Sequence, residues 1–359
     1  MKFLFANLTL LFAVVWSPAV QSVPCAEEIV SVLKDNAYLS ELKDPDFLNA
    51  GLIAKLDPEE FSERLRRIDR YASYASADSF EKMKNVQKVA PAGVGMDIIR
   101  DRNGNVRCIP YPDSPADLAG VVYGDVLLAV DDLVVDDFSV EEIAFLVRGR
   151  ENSEVTLTIE DEDGRIVSIT VERAQNAYSS VVRTMHNPAV IKIFRFGTKT
   201  AKLLKKELES FISEEGNENR RLFIDLRGNT GGLLEQAAQC AAMLLPGDSI
   251  IYRLNKKGSV TDIKTDGKQQ IIKKRFAVLQ DEFTASSAEM LITAVRGAAG
   301  SRTYGTRTTG KARVQDIFTL SDGSVIKFTT GELMYPGTGD TWQDAGLEPD
   351  IVKKQIKSR

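Results

Sequence analysis

The chain has 359 residues, of which 43% are hydrophobic and 27% charged, a composition that predicts a globular protein of two or three domains. Its formal net charge of −5, without a clustered basic face, argues against a nucleic-acid partner. The three cysteines, Cys25, Cys108 and Cys240, are odd in number and form no C-x-x-C pair. Neither a zinc site nor a disulfide framework is therefore indicated.

The N-terminus predicts a secretory signal peptide over residues 1–22, because Lys2 precedes an apolar run, Leu8–Trp16, and small residues follow it. That run is shorter than the roughly 20 residues that a permanent membrane anchor needs. We therefore expect export to the periplasm or another extracytoplasmic compartment, with membrane association left open. Lipid attachment at Cys25 is the less favoured alternative, because Pro24 stands where that pattern requires a small residue.

Residues 23–88 are predicted to form a helical region, because apolar residues recur there at helix-like intervals. Asp57–Glu60 reads Asp-Pro-Glu-Glu, which is typical of a helix start with proline at the first position and acids in the first turn. The apolar residues that carry the pattern are Ile29, Leu33, Leu39, Leu42, Phe47, Leu52, Leu56, Phe61 and Leu65.

Residues 89–174 change to short strands and glycine turns. A glycine-flanked loop leads into a strand at Val94–Ile98, Ser139–Val147 is helical, and two strands form a hairpin around Asp163–Gly164. This order resembles a PDZ domain of the circularly permuted bacterial type. The alternative is another small β-rich domain.

A PDZ domain binds a C-terminal peptide as an added strand, and backbone N–H groups of its glycine loop hold the terminal carboxylate. The groove beside the strand is apolar here, so we expect apolar C-terminal residues to be preferred. By this resemblance, the peptide-binding residues are Gly93, Val94, Gly95, Met96, Ile98, Ile143 and Leu146.

Residues 175–359 alternate strand and helix, as an α/β core does, and end in further β elements. Function in such sheets gathers at the carboxyl ends of the strands. One such end leads into the glycine loop Arg227–Gly232. The elements predicted before and after this loop are a strand over Ala189–Phe196, a helix over Thr198–Glu215, a strand over Arg221–Leu226 and a helix from Leu233 or Leu234.

Thr284–Glu289 lies where a buried strand, Phe276–Leu279, gives way to a helix predicted to run to about Ala299. The first residues of a helix leave N–H groups unpaired and carry partial positive charge, which can hold an oxyanion. Ser286 is therefore a candidate nucleophile. The alternative is structural, because Ser286 followed three residues later by Glu289 is a capping box.

Lys311 lies in a glycine-marked turn and is a candidate base. To accept a proton it must be neutral, although a free lysine has a pKa of about 10.4. The sequence has no acid between Gly305 and Gln315 to hold the amine charged. Gln315 returns to the same face of an extended strand and can accept a hydrogen bond from the amine. The alternative is a solvated turn lysine.

These features resemble the carboxy-terminal processing (tail-specific) serine peptidases, whose pattern reads Ser-Ala-Ser-Ala-Ser-Glu and then Gly-Lys-Gly-Thr-Val-Gln. The resemblance implies that Ser286 is the nucleophile, Lys311 the base and Gln315 its orienting partner. The family's loop Asp-Leu-Arg-x-Asn-x-Gly-Gly matches Asp225–Gly232. It implies an oxyanion hole built from the N–H groups of Gly231 or Gly232 and of Ser287.

Three small departures separate this chain from that pattern. Thr284 replaces the first serine, and Ser287–Ala288 inverts the usual Ala-Ser. Ala312–Arg313 stands where the family has Gly-Thr. An alanine cannot adopt the positive φ open to glycine without strain.

The resemblance implies an α/β fold, with a ClpP/crotonase-like α/β peptidase core, an inserted β-rich PDZ domain and an N-terminal helical segment. It also implies an exported serine endopeptidase that needs no metal or other cofactor and recognises protein substrates by free C-termini. A homo-oligomer or an activating protein partner is left open. Two alternatives remain, a non-catalytic PDZ scaffold and a serine-lysine amidase that acts on cell-wall amides.

The one histidine, His186, allows a rival hypothesis, because His186, Asp225 and Ser286 follow the chain order of trypsin-like triads. His186 is predicted to lie in a loop before a strand, and Asp225 ends a strand of an α/β core rather than of a β-barrel. We therefore expect an ordinary loop role for His186.

Overall fold

The computed structural model describes residues 23–45, 47–82, 92–101, 103–136, 138, 140–175, 179–216, 219–296 and 301–353. The predicted signal peptide lies outside these ranges. No helix within them is both long and apolar enough to cross a membrane. The described chain forms two compact units, one of residues up to Lys82 with Gln315–Thr330, the other of Met83–Val314 with Gly331 onward.

The secondary structure follows the predicted order of a helical region, a β-rich segment and an α/β core. The helices are α1 (Ala26–Asn36), α2 (Ala50–Ile53), α3 (Pro58–Ile68), α4 (Pro115–Leu118), α5 (Val140–Val147), α6 (Thr200–Ser213), α7 (Leu234–Ala242) and α8 (Ser287–Val295). The strands are β1 (Ser73–Ala75), β2 (Met96–Arg100), β3 (Val106–Pro110), β4 (Val126–Val130), β5 (Leu133–Val134), β6 (Glu154–Glu160), β7 (Ile166–Glu172), β8 (Val181–His186), β9 (Ala189–Ile193), β10 (Leu222–Asp225), β11 (Ile250–Lys256), β12 (Ser259–Lys264), β13 (Ala277–Gln280), β14 (Arg302–Gly305), β15 (Arg313–Thr319), β16 (Val325–Met334) and β17 (Ile351–Val352).

The first unit packs α1, α2 and α3 around an apolar core. The Asp57 side chain caps α3 by accepting the N–H of Glu60 at 2.8 Å, as the sequence predicts. β1 pairs antiparallel with the start of β16. The hairpin 315–330, assigned to the core domain from sequence, packs with these helices. Buried members of this core are Ile29, Leu33, Phe61, Leu65, Ile326 and Phe328.

The β-rich part of the second unit is an antiparallel sheet in the order β2-β3-β4-β6-β7, with β5 beside β4. Helix α5 packs against β2 and β4. The sequence predicts the α5 helix and the β6–β7 hairpin correctly, whereas β3 is not predicted. Val94 precedes β2 and is buried in the core of this sheet.

The α/β part of the second unit is a sheet in the order β17-β14-β13-β10-β9-β8, in which only the pairing of β8 with β9 is antiparallel. Helices α6, α7 and α8 cover its apolar core. Because β10 and β13 are parallel neighbours, their carboxyl ends lie side by side. The loops that follow them therefore meet at one edge, and they contain Arg227–Gly232 and Ser286.

Two elements differ from the sequence-based prediction. His186, predicted in a loop, is the exposed last residue of β8, an edge strand that forms a hairpin with β9. Helix α8 ends at Val295 rather than near Ala299, because Arg296 is already extended. Cys240 is buried, and its burial raises the pKa of the thiol to about 12.

Candidate active site

Ser286 lies at the tip of a strand-to-helix turn, between β13 and α8. Its φ of 59° and ψ of −123° place a non-glycine residue in the positive-φ region. Such a backbone costs about 1–3 kcal/mol and persists only where neighbouring contacts hold it. Ser286 and Glu289 form the capping box that the sequence allows, in which the Glu289 carboxylate accepts the Ser286 N–H at 2.9 Å. A serine oxygen that accepts a cap hydrogen bond keeps its own O–H as a donor, so the structural role does not exclude a chemical one.

The glycine loop after β10 packs directly against this turn. A Cβ on Gly231 would lie 2.8 Å from the Cβ of Ser286, and a Cβ on Gly232 would lie 2.4 Å from the carbonyl oxygen of Phe196. Their φ values of 105° and 132° also favour glycine. The Ala285 N–H donates to the carbonyl of Asn229 at 2.9 Å. The two loops thus form one connected backbone structure.

The three predicted oxyanion donors differ in what they already bind. The Gly231 N–H donates to the buried Asn229 Oδ1 at 2.9 Å, so that amide is already used within the loop. The N–H groups of Gly232 and Ser287 have no hydrogen-bond acceptor among the residues that the structure describes. Ser287 is the first residue of α8, where an N–H has no intrahelical partner. Gly232 and Ser287 therefore stay the candidate pair.

A single carboxylate connects the turn of Ser286 with the turn of Lys311. Glu289 is fully buried, and its Oε2 accepts the backbone N–H of Ser286 at 2.9 Å and that of Lys311 at 2.8 Å. Its Oε1 accepts the N–H of Gly310 at 2.8 Å and the hydroxyl of Thr308 at 2.5 Å. Two residues far apart in sequence, the predicted nucleophile and base, are thereby held by one oxygen atom.

The four hydrogen bonds to Glu289 favour the charged form of its carboxyl group. A carboxylate offers about four lone-pair positions, and four donors fill them. Burial raises the pKa of Glu289, and the bonds from Thr308, Lys311, Gly310 and Ser286 oppose that rise. The fold therefore brings an acid to the Lys311 turn that the local sequence does not show. Its oxygens are already occupied by other donors.

The Lys311 turn accommodates the alanine that replaces the family's glycine. Gly310 takes the positive φ, 91°, and a Cβ there would lie 2.7 Å from the Gly346 nitrogen. Ala312 is fully buried and is not among the residues with positive φ. The departure at Ala312 therefore causes no strain of the kind that the sequence suggests.

A cluster of charged residues supports the start of the glycine loop. Asp225 is buried and accepts two hydrogen bonds from the Arg227 guanidinium, at 2.9 and 2.7 Å. Burial opposes the charged form of Asp225, but Lys192 and then Arg227 outweigh it and hold its pKa below the ordinary value. Burial lowers the pKa of Lys192, whose amine lies 3.9 Å from the Asp225 carboxylate. In the sequence, Asp225 is part of the glycine-loop motif and of the less favoured trypsin-like triad.

The sequence does not indicate a role for Asp281. One of its oxygens accepts the N–H groups of Gly228 at 3.0 Å and Thr284 at 3.1 Å, which joins the glycine loop to the Ser286 turn. Its other oxygen accepts the Tyr123 hydroxyl from the β-rich part of the same unit. Burial raises the pKa of the Asp281 carboxyl, and it raises the pKa of the Tyr123 hydroxyl well above its usual range. A buried acid just before a strand-to-helix turn is the signal that could have indicated this role.

Gln315 lies in the first unit, on β15. Its Nε2 donates to the Thr329 hydroxyl at 3.4 Å. It follows Lys311 by four positions along the chain, but its action on the lysine amine stays a prediction. His186 lies on the β8–β9 hairpin, where its carbonyl accepts a bond from Arg220 at 3.2 Å.

The predicted peptide-binding residues lie on β2, in the loop before it and on helix α5. Within the described residues β2 pairs with β3 alone, so its other edge is open to an added strand. Val94 and Ile143 are buried in the apolar core of the β-rich sheet. The partly buried side chains of Met96 and Ile98 on β2, and of Leu146 on α5, pack against this core. The Gly93 N–H already donates to Ala174 at 3.1 Å, and Gly95 has a φ of 72°.

Known proteins are similar to this chain in sequence. The family model of Peptidase family S41 matches residues 187–353, and the PDZ domain model matches residues 110–161. The "Probable CtpA-like serine protease" of Staphylococcus haemolyticus is 28% identical over 315 residues, covering 86% of this chain and 62% of that protein. The chloroplastic "Carboxyl-terminal-processing peptidase 1" of Arabidopsis thaliana is 28% identical over 296 residues, covering 79% and 59%. The chain thus spans about three fifths of the length of these relatives.

The fold also matches solved structures. The photosystem II D1 C-terminal processing protease superposes with a TM-score of 0.78 at 20% identity, covering 92% of each chain. A putative S41 protease from Bacteroides fragilis superposes with a TM-score of 0.53 at 15% identity. At these identities the likeness shows a common fold, a mixed α/β protease fold with a PDZ insertion. By sequence, residues 187–353 of this chain form a region of peptidase family S41 and residues 110–161 belong to a PDZ domain, and the chain is homologous to CtpA-like C-terminal processing proteases.

Proposed function

We propose that this protein is a serine endopeptidase in which Ser286 is the nucleophile, Lys311 the general base and Gln315 the residue that orients the lysine. One observation carries the proposal. The Oε2 of the fully buried Glu289 accepts the backbone N–H of both Ser286 and Lys311, so the two turns are fixed to each other. Catalysis by a serine requires a base within reach of the hydroxyl, and two turns fixed in this way can supply that arrangement.

The reaction is acyl transfer to the serine and then to water. The Ser286 Oγ bonds to the carbonyl carbon of the scissile peptide while the Lys311 Nζ takes the hydroxyl proton. The carbonyl oxygen becomes an oxyanion, which the N–H groups of Gly232 and Ser287 stabilise at the positive end of α8. The C–N bond then breaks, and Lys311 gives its proton to the leaving amine.

Deacylation repeats these steps with water in place of the serine. Lys311 takes a proton from water as the water oxygen attacks the acyl carbon. The ester bond to Ser286 breaks, the hydroxyl recovers its proton from Lys311, and the product leaves as a carboxylic acid that ionises by losing its proton to water. The Lys311 amine must be neutral at the start of acylation and again at the start of deacylation.

We further propose that substrates are proteins held by their C-termini. The open edge of β2 and the apolar side chains of Met96, Ile98 and Leu146 suit an apolar C-terminal strand. The layered arrangement of α6, α7 and α8 on a parallel sheet is consistent with the ClpP/crotonase-like architecture that the sequence predicts. That finer assignment remains a proposal.

An unfolded protein substrate with a free or an amidated apolar C-terminus tests this function. We expect cleavage of the free form, and at least about tenfold slower cleavage of the amidated form because the terminal carboxylate is lost. Labelling with a phosphonate reagent specific for nucleophilic serines, followed by peptide mass analysis, should place the adduct on Ser286. Equal cleavage of both substrates contradicts recognition of the C-terminus. An adduct elsewhere contradicts the nucleophile.

The location of the protein is a separate proposal. The charged residue, apolar run and small residues within 1–22 support export, with cleavage after Ser22. Expression of the full chain in a bacterial host, cell fractionation and N-terminal sequencing of the product test it. We expect an extracytoplasmic product that begins at Val23. A cytoplasmic product that retains Met1 contradicts the proposal.

A further inference from the structure

The backbone of the Lys311 turn is held on its N–H side by side chains rather than by a neighbouring strand. Four successive N–H groups, those of residues 310–313, donate to two side chains. Gly310 and Lys311 donate to Glu289, as described above. Ala312 and Arg313 donate to the Oε1 of Gln343, at 2.8 and 3.0 Å. Glu289 thus holds the first half of the turn and Gln343 the second.

Gln343 is itself well oriented for this contact. Its Nε2 donates to Asp344 Oδ1 at 2.9 Å, and its own N–H donates to the Thr341 hydroxyl at 3.2 Å. With the amide in this orientation, Oε1 faces the two N–H donors. The reversed amide would place an NH₂ group against them and lose both bonds. The preceding residue, Trp342, is fully buried and packs edge-on against Tyr335, with ring centroids 5.5 Å apart.

The carbonyl side of the turn is fixed by the same loop and by β16. The Asp344 N–H donates to the carbonyl of Gly310 at 2.8 Å. The Leu333 N–H donates to the carbonyl of Ala312, also at 2.8 Å. The lysine therefore projects from a backbone segment that has partners on both sides. Within this segment, Gln343 supplies the contacts immediately after the lysine.

We propose that Gln343 is a positioning residue for the Lys311 base. This inference rests on the proposed function, in which Lys311 takes the proton of Ser286. Gln343 does not touch the reacting atoms. It sets the direction in which the lysine side chain leaves the backbone, by fixing the two peptide units that follow. Displacement of a catalytic group by about 1 Å can lower a rate by about 100-fold. A neutral acceptor also adds no charge beside the lysine.

The test compares Gln343→Met, which keeps the length of the side chain but loses the acceptor, with the unaltered full chain. We expect kcat to fall by about 10- to 100-fold while KM changes less than about threefold, because positioning acts on the transition state and not on substrate binding. Hydrogen exchange should show lost protection of the Ala312 and Arg313 amides. Gln269→Met, at an exposed position, is the matched control and should leave both measurements unchanged.

Gln343→Glu supplies the rescue, because a carboxylate can accept the same two N–H bonds. We expect it to restore protection of the Ala312 and Arg313 amides, whereas kcat is judged on Gln343→Met alone because the added charge itself disfavours a neutral lysine. A Gln343→Met variant with kcat within twofold of the unaltered chain overturns the inference, as does a Glu variant without recovered amide protection. If Gln343→Met does not fold, Gln343→Asn, whose oxygen is one methylene short, is judged by the same criteria.

The Lys311→Ala variant distinguishes a failure of the proposed function from a failure of the positioning role of Gln343. If Lys311→Ala keeps full activity, the proposed base is wrong, and the role of Gln343 fails with it. If Lys311→Ala is inactive while Gln343→Met behaves as the unaltered chain, only the positioning role is contradicted.

Discussion

Replacement of Ser286 or Lys311 by alanine is expected to lower kcat by about 10³- to 10⁶-fold, the range found when a member of a serine catalytic group is removed. Ser286→Ala removes the only atom that forms the acyl bond. Lys311→Ala leaves that atom without a proton acceptor. Because the two residues act as a unit, the double variant should be no slower than the slower single variant.

Measurement of kcat on an unfolded protein substrate, with the melting temperature of each variant, tests this expectation. Helix α6 offers matched controls. Lys206 is exposed there, and the Ser213 hydroxyl bonds only to the nearby carbonyl of Ser210. Ser213→Ala and Lys206→Ala should keep the activity of the unaltered chain. A Ser286→Ala or Lys311→Ala variant with more than about a tenth of that activity contradicts the assignment.

Replacement of Glu289 is expected to damage stability and activity together. Glu289→Ala leaves two buried and two partly buried donors without an acceptor, and each loss of a buried partner costs about 1–3 kcal/mol. After partial relaxation we expect a loss of about 3–5 kcal/mol of unfolding free energy, which is exceptional for one residue. The positive φ of Ser286 would also lose the contact that holds its N–H.

Glu289→Gln is the more informative variant because it keeps the size of the side chain. One of its two oxygens becomes an NH₂ group that faces donors, so two of the four bonds are lost. We expect kcat to fall by at least about 100-fold, with a stability loss of about 2–4 kcal/mol by urea unfolding. Glu235→Gln, in the first turn of α7 and exposed, is the matched control. Near-unaltered stability and activity of Glu289→Gln would contradict the role of this carboxylate.

The sequence predicts those features that local patterns encode. The strand-to-helix turn at Ser286, the glycine loop after β10 and the helix α7 all follow from apolar runs and glycine positions that lie close together along the chain. β8 is missed for a local reason as well. β8 is a sheet edge with mostly exposed residues, so it lacks the alternation by which a half-buried strand is identified.

The contacts that assemble the site could not be predicted in this way. Glu289 fits a capping box in sequence, and only the fold shows that it also accepts the N–H groups of Gly310 and Lys311. The pairing of Tyr123 with Asp281 joins residues 158 positions apart. Local propensity does not specify such partners, because the hydrophobic pattern of each segment is the same whichever element it meets.

Because Glu289 binds both the Ser286 turn and the Lys311 turn, the number of residues between Ser286 and Glu289 is constrained. One residue inserted or deleted between Ser286 and Glu289 would rotate the carboxylate by about 100° around α8. The acid would then lose both turns at once, even if every reactive side chain were kept. The three-residue interval is therefore a geometric requirement as strict as the identity of the serine. Chains that keep the nucleophile but change this interval should be inert proteins of the same shape.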